Sequence, residues 1–436
     1  MVDPAPAVVD PAPVAEPAAA PAPPVDAAPR ATPELASPPP VLGVDDKGFV
    51  LKSADETYAL KLKGVVQFDG RKYVGDPALR DSDGFLVRKI RPTFEASFLK
   101  IADLRFVVDF AEAKVTVVDA YIDIKPKEWL KIRAGKFIAP VGLERAQQDT
   151  ELAFMERSLT GNLTQTRDVG VVAYADFLGG ALHGAAGVVD GAPDGATIDA
   201  DTNQGKDLIG RIWFRPLRFG DLKQYGEVGI GVAGSFGDRK GQPVKDKTGL
   251  SPFRTSGQTS FFQYAWNDMD PTTGVYADGS LRRINPQLFY FNGSFGVLAE
   301  YSVSQVRVHR GDDVADLSHQ GWHATANYVL GGKATLNGVT VDNRYDSAKD
   351  QLGAFEIAAQ VAQVTLDADT FPTFSDPGKW ARRATGIGAA LSWYLSRNLR
   401  LSLNYDHTFF KAASQGADTY QRPDEKAVLA RTQVLF

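Results

Sequence analysis

The sequence predicts an all-β fold: a transmembrane antiparallel β-barrel of about sixteen strands behind a disordered Pro/Ala-rich N-terminal tail. Three observations carry this. Apolar and polar residues trade places every second position over segments about ten residues long, the period of a strand with two unlike faces. No helices or second sheet are in evidence to cover the greasy faces, and no run of eighteen apolar residues offers a membrane helix, so lipid remains as the covering layer. The chain also stops on an aromatic, Phe436, at the end of an alternating segment.

The totals agree. With 436 residues there is room for one large barrel or for two or three ordinary domains. Charged residues are 23% and aromatics 10%, too rich a mixture for a chain disordered throughout. Glycine (41) is spread through the strand-like segments, where curvature and close packing favour it. A net charge of −5 argues against a nucleic-acid partner. Cysteine is absent, which excludes disulfides, thiol nucleophiles and Cys-bearing metal sites. Met1-Val2-Asp3-Pro4 shows no basic n-region or apolar h-region, so the export signal of such a protein is expected to have been removed or lost through a misplaced start.

In chain order, residues 1–40 hold 13 of the 26 prolines and few large apolar side chains. This composition cannot bury a core, so residues 1–42 are assigned to the tail and 43–436 to the barrel. Gly43 to Glu56 leads in. In the first strand Leu60, Leu62, Val66 and Phe68 oppose Lys61, Lys63, Gln67 and Asp69. In the second, Ile90, Phe94, Ala96 and Phe98 oppose Lys89, Arg91, Thr93, Glu95 and Ser97. Leu104, Phe106, Val108 and Phe110 then oppose Arg105 and Asp109; Val118, Ala120, Ile122 and Ile124 oppose Asp119, Tyr121 and Asp123; Leu130, Ile132 and Ala134 oppose Lys131 and Arg133. Phe137 to Arg167 breaks the rhythm, with a helical-looking stretch from Thr150 to Arg157, and is too long for a hairpin turn. Strands resume near 168–177, 180–190, 206–216, 225–237, 281–292, 294–308, 318–330, 353–364, 384–394, 398–409 and 426–436. Asp238 to Thr259 reads as a long polar loop, 261–279 as ambiguous, and 310–317 as a longer link. Aromatics near strand ends (Tyr58, Phe98, Trp129, Phe177, Trp213, Trp322, Tyr328, Trp393, Tyr394) suit interfacial girdles.

The segment Phe85-Leu86-Val87-Arg88-Lys89-Ile90-Arg91-Pro92-Thr93-Phe94-Glu95 resembles the Arg-rich second-strand motif of the phosphate-selective porin O/P family. Asp119-Ala120-Tyr121-Ile122 and Lys131-Ile132-Arg133-Ala134-Gly135-Lys136-Phe137-Ile138-Ala139-Pro140 resemble its next block. Gly142-Leu143-Glu144-Arg145, Met155-Glu156-Arg157 and Arg167-Asp168-Val169-Gly170 resemble its inward loop and the strand after it. The resemblance implies a sixteen-stranded barrel in the outer membrane of a Gram-negative-type bacterium, usually a homotrimer. It implies that the third long loop, 138–167, folds into the pore, and that the pore takes up small anions passively. It also implies that outer-membrane lipid surrounds the barrel and that assembly machinery reads Phe436. No cofactor and no metal are expected. Arg91 and Arg145 match anion-binding positions of the family. Val65, where a strictly phosphate-selective member has Arg, and Gln148-Asp149, in place of two hydroxyl residues, depart from it. The departures favour a general or weakly anion-preferring pore.

On the charged faces the candidates for pore lining and anion binding are Lys61, Lys63, Lys89, Arg91, Arg105, Lys131, Arg133 and Arg211, joined by Arg145 from the loop. Glu144, Glu156 and Arg157 are candidate loop anchors, Arg157 tying the loop to the wall. Asp69, Glu95, Asp109, Asp119 and Asp123 share the same faces, so many charges are expected to pair across strands. Asp149 is expected to repel anions. Enzyme signatures are missing: the five histidines are scattered, and there is no Gly-x-Ser-x-Gly, P-loop or dinucleotide fingerprint. The rival of another class is a non-conducting structural protein that links membrane and cell wall through its tail; a barrel hydrolase ranks third.

Overall fold

The computed structural model describes residues 40–45, 48–75, 83–199, 205–413 and 421–436. The tail expected over 1–42 lies outside them except for its last residues. Eighteen strands share one sheet; two of them form a small hairpin, and the other sixteen close a ring. The barrel strands are β1 (Tyr58–Val74), β2 (Gly84–Phe98), β3 (Ala102–Asp109), β4 (Thr116–Lys127), β5 (Leu130–Phe137), β6 (Asp168–Phe177), β7 (Leu182–Val189) and β8 (Asp207–Phe214). They continue as β9 (Glu227–Lys240), β10 (Tyr276–Asn292), β11 (Phe295–Arg310), β12 (Asp313–Leu330), β13 (Ala354–Thr365), β14 (Ala381–Tyr394), β15 (Leu399–Ala412) and β16 (Glu425–Leu435).

Each strand pairs antiparallel with its sequence neighbours, and β16 returns to β1, from Lys426↔Val74 to Leu435↔Val65. Phe436 completes the seam: its N–H donates to Gly64 O (3.0 Å), and Gly64 N–H donates to Phe436 O (2.7 Å). The Phe436 ring occupies the space where a Cβ of residue 64 would stand, so only glycine admits it. Beyond the C-terminus the exposed edge of β1 is taken by the hairpin. Gly48–Lys52 pairs with Ala59–Leu62, and Val41–Asp45 pairs outside it. Covering an edge removes unpaired backbone groups.

The faces sort as the alternation requires. Gln67 and Asp69 are fully buried while Leu60, Val66 and Phe68 are exposed, so polar side chains point in and apolar ones out. The same inversion holds for Ile90, Phe94, Leu104, Phe106 and Ile132, all exposed. The predicted link 310–317 is instead a two-residue turn, Gly311-Asp312, between β11 and β12. Asp313 and Asp316 read as loop, but their side chains face outward or lie at the rim, while Leu317 on the inner face is fully buried in the apolar cluster inside the barrel. The Thr150–Arg157 helix is also corrected: helical backbone lies on either side, at Leu143–Ala146 and as a 3-10 turn at Leu159–Leu163. The stretch between is held by side chains of the wall, described below. Val118 is buried because β3 and β4 shift register beside it. Of the girdle aromatics, Tyr58, Phe98, Trp129, Phe177, Trp322 and Tyr328 are exposed, but Trp213 and Tyr394 are buried on the inner face. Trp213 packs against Phe289 at 5.2 Å, and Tyr394 donates its hydroxyl to Glu356 (2.8 Å).

The inside of the barrel is partly dry. Leu159 and Leu163 meet Phe253, Phe261 and Phe262 of the β9–β10 connection, Phe374 of the β13–β14 connection and Phe410 of β15. Phe261 and Phe262 are fully buried. The region that read as ambiguous, 261–279, thus holds core residues, a short pairing of Ser260–Phe262 with Phe253–Arg254, and the start of β10.

Candidate functional site

Residues 138–167 join β5 to β6 and make bonds to strands far apart around the ring. Gly142 O accepts from Arg211 of β8 (2.6 Å), and Leu143 N–H donates to Glu300 of β11 (2.5 Å). Thr160 Oγ1 pairs with His323 Nδ1 of β12 (2.8 Å). Arg400 of β15 donates to Leu152 O (2.8 Å) and Ala153 O (3.1 Å), and Arg431 of β16 donates to Met155 O (2.7 Å). Glu156 accepts from Arg88 of β2 (3.0 Å) and Arg431 (3.2 Å). Arginine suits this task because its planar fork presents several donors at once to carbonyls and carboxylates.

Other bonds stay within the segment. The Glu144 carboxylate accepts from Ser158 N–H (3.0 Å) and Ser158 Oγ (2.7 Å). Arg157 donates to Gln147 O (2.7 Å) and pairs with Asp149. Arg157 therefore ties the segment to itself, where the sequence suggested a tie to the wall. Glu144, Glu300 and His323 lie within 4.8 Å of one another, all buried. Their polar atoms already serve Ser158, Leu143 and Thr160, which makes the group an anchoring network.

Asp149 does not stand free as an anion-repelling group. It accepts from Lys89 (2.5 Å) and Arg91 (2.8 Å) as well as pairing with Arg157. Burial alone would raise its pKa, but Lys89, Arg157 and Arg91 outweigh burial and hold the carboxyl well below its usual range. Arg145 is the opposite case. Its Nη2 donates to Gly161 O (2.5 Å), its Nε has no partner, and no carboxylate bonds to it among the described residues. Gly161 makes this approach possible, since a Cβ there would stand 2.9 Å from Arg145 Nη2. Burial, reinforced by Arg157, pushes the Arg145 pKa down to about 9, so the side chain stays cationic at neutral pH.

A cavity of about 460 Å³ opens beside the segment. Seven cations line it (Arg88, Lys89, Arg91, Arg145, Arg157, Arg167 and Arg254) against two acids, Asp149 and Glu156, an excess of five positive charges. A smaller one of about 160 Å³ is lined by Tyr121, Arg133, Tyr174 and Arg211. There Arg133 stacks on Tyr121 at 3.7 Å while Asp123 holds it through two bonds of 2.7 Å.

Of the predicted lining residues, Lys89, Arg91 and Arg145 meet in the larger cavity, and Arg133 and Arg211 in the smaller. Lys63 and Arg105 both bond Glu95 at 2.6 Å, and Lys131 lies 3.7 Å from Asp123, so these three belong to the ion-pair network of the wall. Arg91 is also held by Asp109 (2.6 Å). Lys61 lines neither cavity and has no ion pair among the described residues. Arg88, Arg167 and Arg254 are additions. Arg88 was missed because the register shifts between Gln67↔Lys89 and Phe68↔Val87, which turns two consecutive residues, Arg88 and Lys89, toward the loop acids. Arg254, in a long polar loop, carries no local signal.

The fold is that of known pores. The outer-membrane channel DcaP of Acinetobacter baumannii superposes with a TM-score of 0.55 at 11% identity, covering 89% of this chain and 99% of that one. The trimer form of OmpT of Vibrio cholerae gives 0.53 at 10%, covering 87% and 100%. OmpF of Salmonella typhi in complex with daunomycin gives 0.51 at 11%, covering 88% and 99%. No curated protein matches the chain. The family described as phosphate-selective porin O and P matches residues 60–436. The chain belongs to this family, and it is an outer-membrane β-barrel porin, a passive transport protein and not an enzyme.

Proposed function

We propose that the pore favours small anions, and that the 138–167 segment folds into the barrel as its constriction. The observation that carries this is the cavity beside that segment, with seven cations against two acids. Cations held at fixed positions along one wall admit an anion without trapping it when each contact is exposed and replaceable. Arg145 serves as the principal contact because its guanidinium is spent on a single carbonyl. Arg211, likewise bonded to one carbonyl, serves as a second station toward the turn end. Arg91 and Lys89 contribute field more than contact, since Asp109 and Asp149 occupy their donors. Glu144, Glu156 and Arg157 keep the constriction in place. Phosphate is one anion such a site accepts; with Val65 on the first strand, chloride and phosphate are expected to pass alike.

The OmpT relative that forms a trimer supports a homotrimer for this chain. The seating of Phe436 on Gly64 supports a role for the C-terminal strand in assembly. Planar-bilayer recording in a salt gradient tests the proposal. A reversal potential of the sign set by anions is expected with both chloride and phosphate; a cation-selective one refutes it.

A further inference from the structure

We propose that the outer wall at the loop end of β13–β15 binds a lipid whose headgroup carries a phosphate with uncompensated negative charge. On β14 the register with β15 slips between Ala381 and Arg383, so Arg382 is an extra residue in the strand. Ala381 and Ala384 are both buried inside. The two arginines between them therefore turn outward together, and Arg383 stands directly opposite Lys411 of β15. Arg382 Nε donates to Leu366 O (3.3 Å) and Arg383 Nε to Thr365 Oγ1 (3.1 Å), which fixes both stems and leaves the ends of the guanidinium groups facing out. None of the three cations has an ion pair among the described residues. Elsewhere on the outward rim Arg307 is matched by Asp316 (3.3 Å) and Lys72 by Asp83 (2.5 Å), while Arg282 lies over the Phe236 ring at 5.3 Å. Like charges placed opposite each other in a sheet are destabilising unless an anion joins them.

The height selects the partner. Below the three cations the outward face is largely apolar, with Phe409, Ile387, Tyr405 and Leu391 exposed and Thr385 and His407 as the polar members among them. It ends at Trp393, stacked on Phe355 at 5.7 Å. From Trp393 to Arg383 the strand rises ten residues, about 25 Å after tilt, which is the height of the apolar band of a membrane barrel. The cations thus sit level with headgroups, above a surface suited to acyl chains. This site lies outside the barrel and is independent of the pore.

The test uses the full chain in zwitterionic detergent and measures retention of phosphatidic acid against phosphatidylcholine of the same acyl length by native mass spectrometry. The wild type is expected to prefer phosphatidic acid. Lys411→Gln should weaken that binding about fivefold, and the triple variant Arg382→Gln/Arg383→Gln/Lys411→Gln about a hundredfold, with phosphatidylcholine unchanged. Restoring charge with Arg382→Lys/Arg383→Lys should recover most of it. Single-channel conductance and heat-shifted gel mobility report that the variants remain folded; should the triple variant not fold, Lys411→Gln alone decides. Undiminished phosphatidic acid binding overturns the proposal. So does competition by inorganic phosphate at equal concentration, which would mark a free-ion site, or a changed oligomeric state in the variants, which would mark a contact between copies.

Discussion

Replacing Arg145 by alanine separates a cation that meets the solute from one that only builds the wall. Arg145 supplies one of the five excess positive charges of the larger cavity, and its loss strands no carboxylate among the described residues. An anion about 5 Å from the guanidinium gains roughly 0.8 kcal/mol in bulk water and about 3 kcal/mol at an effective dielectric of 20. The lumen lies between these limits, so the anion-to-cation permeability ratio should fall by about tenfold, the equivalent of ~1.4 kcal/mol. Reversal potentials in a potassium chloride gradient give this ratio directly. Arg105→Ala is the control: that side chain bonds Glu95, lines neither cavity and should move the ratio far less. An Arg145→Ala channel with the wild-type ratio, or an Arg105→Ala channel with the larger change, refutes the assignment.

Asp149→Asn removes the acid shared by Lys89, Arg91 and Arg157; anion preference should rise, while unpairing these buried cations lowers stability by about 3 kcal/mol, read as an earlier thermal transition. Glu156 sets an acid limit. Burial raises its pKa, but Arg88 and then Arg431 pull it down to about 2 from 4.5, so its anchoring is complete above pH ~4.5 and is lost as pH falls toward 2. The linkage amounts to roughly 3 kcal/mol. Conductance should therefore hold steady down to about pH 4 and grow noisy only below it, and Glu156→Gln should show that noise at neutral pH. Gly64→Ala puts a methyl where the Phe436 ring lies and should lower the yield of folded, heat-shifted barrel several-fold; a normal yield would show that the ring seat is not needed for closure.

The barrel was legible because its two solvents are unlike. Lipid and enclosed water each impose a face, and β1, β4, β5 and β16 carry that imprint residue by residue, with Val118 of β4 alone out of step at a bulge. Legibility fails at the strand ends, where turn residues outweigh the alternation. Residues 313–317 are strand, yet read as loop, because Gly311, Asp312, Asp313 and Asp316 crowd the start and hide the two faces that Val314 (exposed) and Leu317 (buried) mark. It fails again where one extra residue breaks the period, as at Arg88, since a bulge leaves no trace in composition.

The loop is the deepest case. Arg400 and Arg431 look like pore-lining cations of the same kind as Arg91, and the alternation places all three strand charges on the watery side. What distinguishes them is the acceptor. Arg400 donates to the carbonyls of Leu152 and Ala153, and Arg431, whose other donors are held by Asp69 directly opposite on β1, turns one N–H to the carbonyl of Met155; these carbonyls lie more than 240 residues away in sequence. A backbone carbonyl is common to every residue, so no choice of amino acid at 152, 153 or 155 announces that an arginine will arrive. The carboxylate partners are different: Glu95, Asp109 and Asp123 sit on neighbouring strands in register with their cations, and their pairing was foreseeable from position alone. On the proposed function, selectivity should depend less on how many cations face the lumen than on which of them the loop backbone leaves unclaimed, and mutating a strand arginine that holds the loop should alter conductance through the loop's position before it alters the preference for anions.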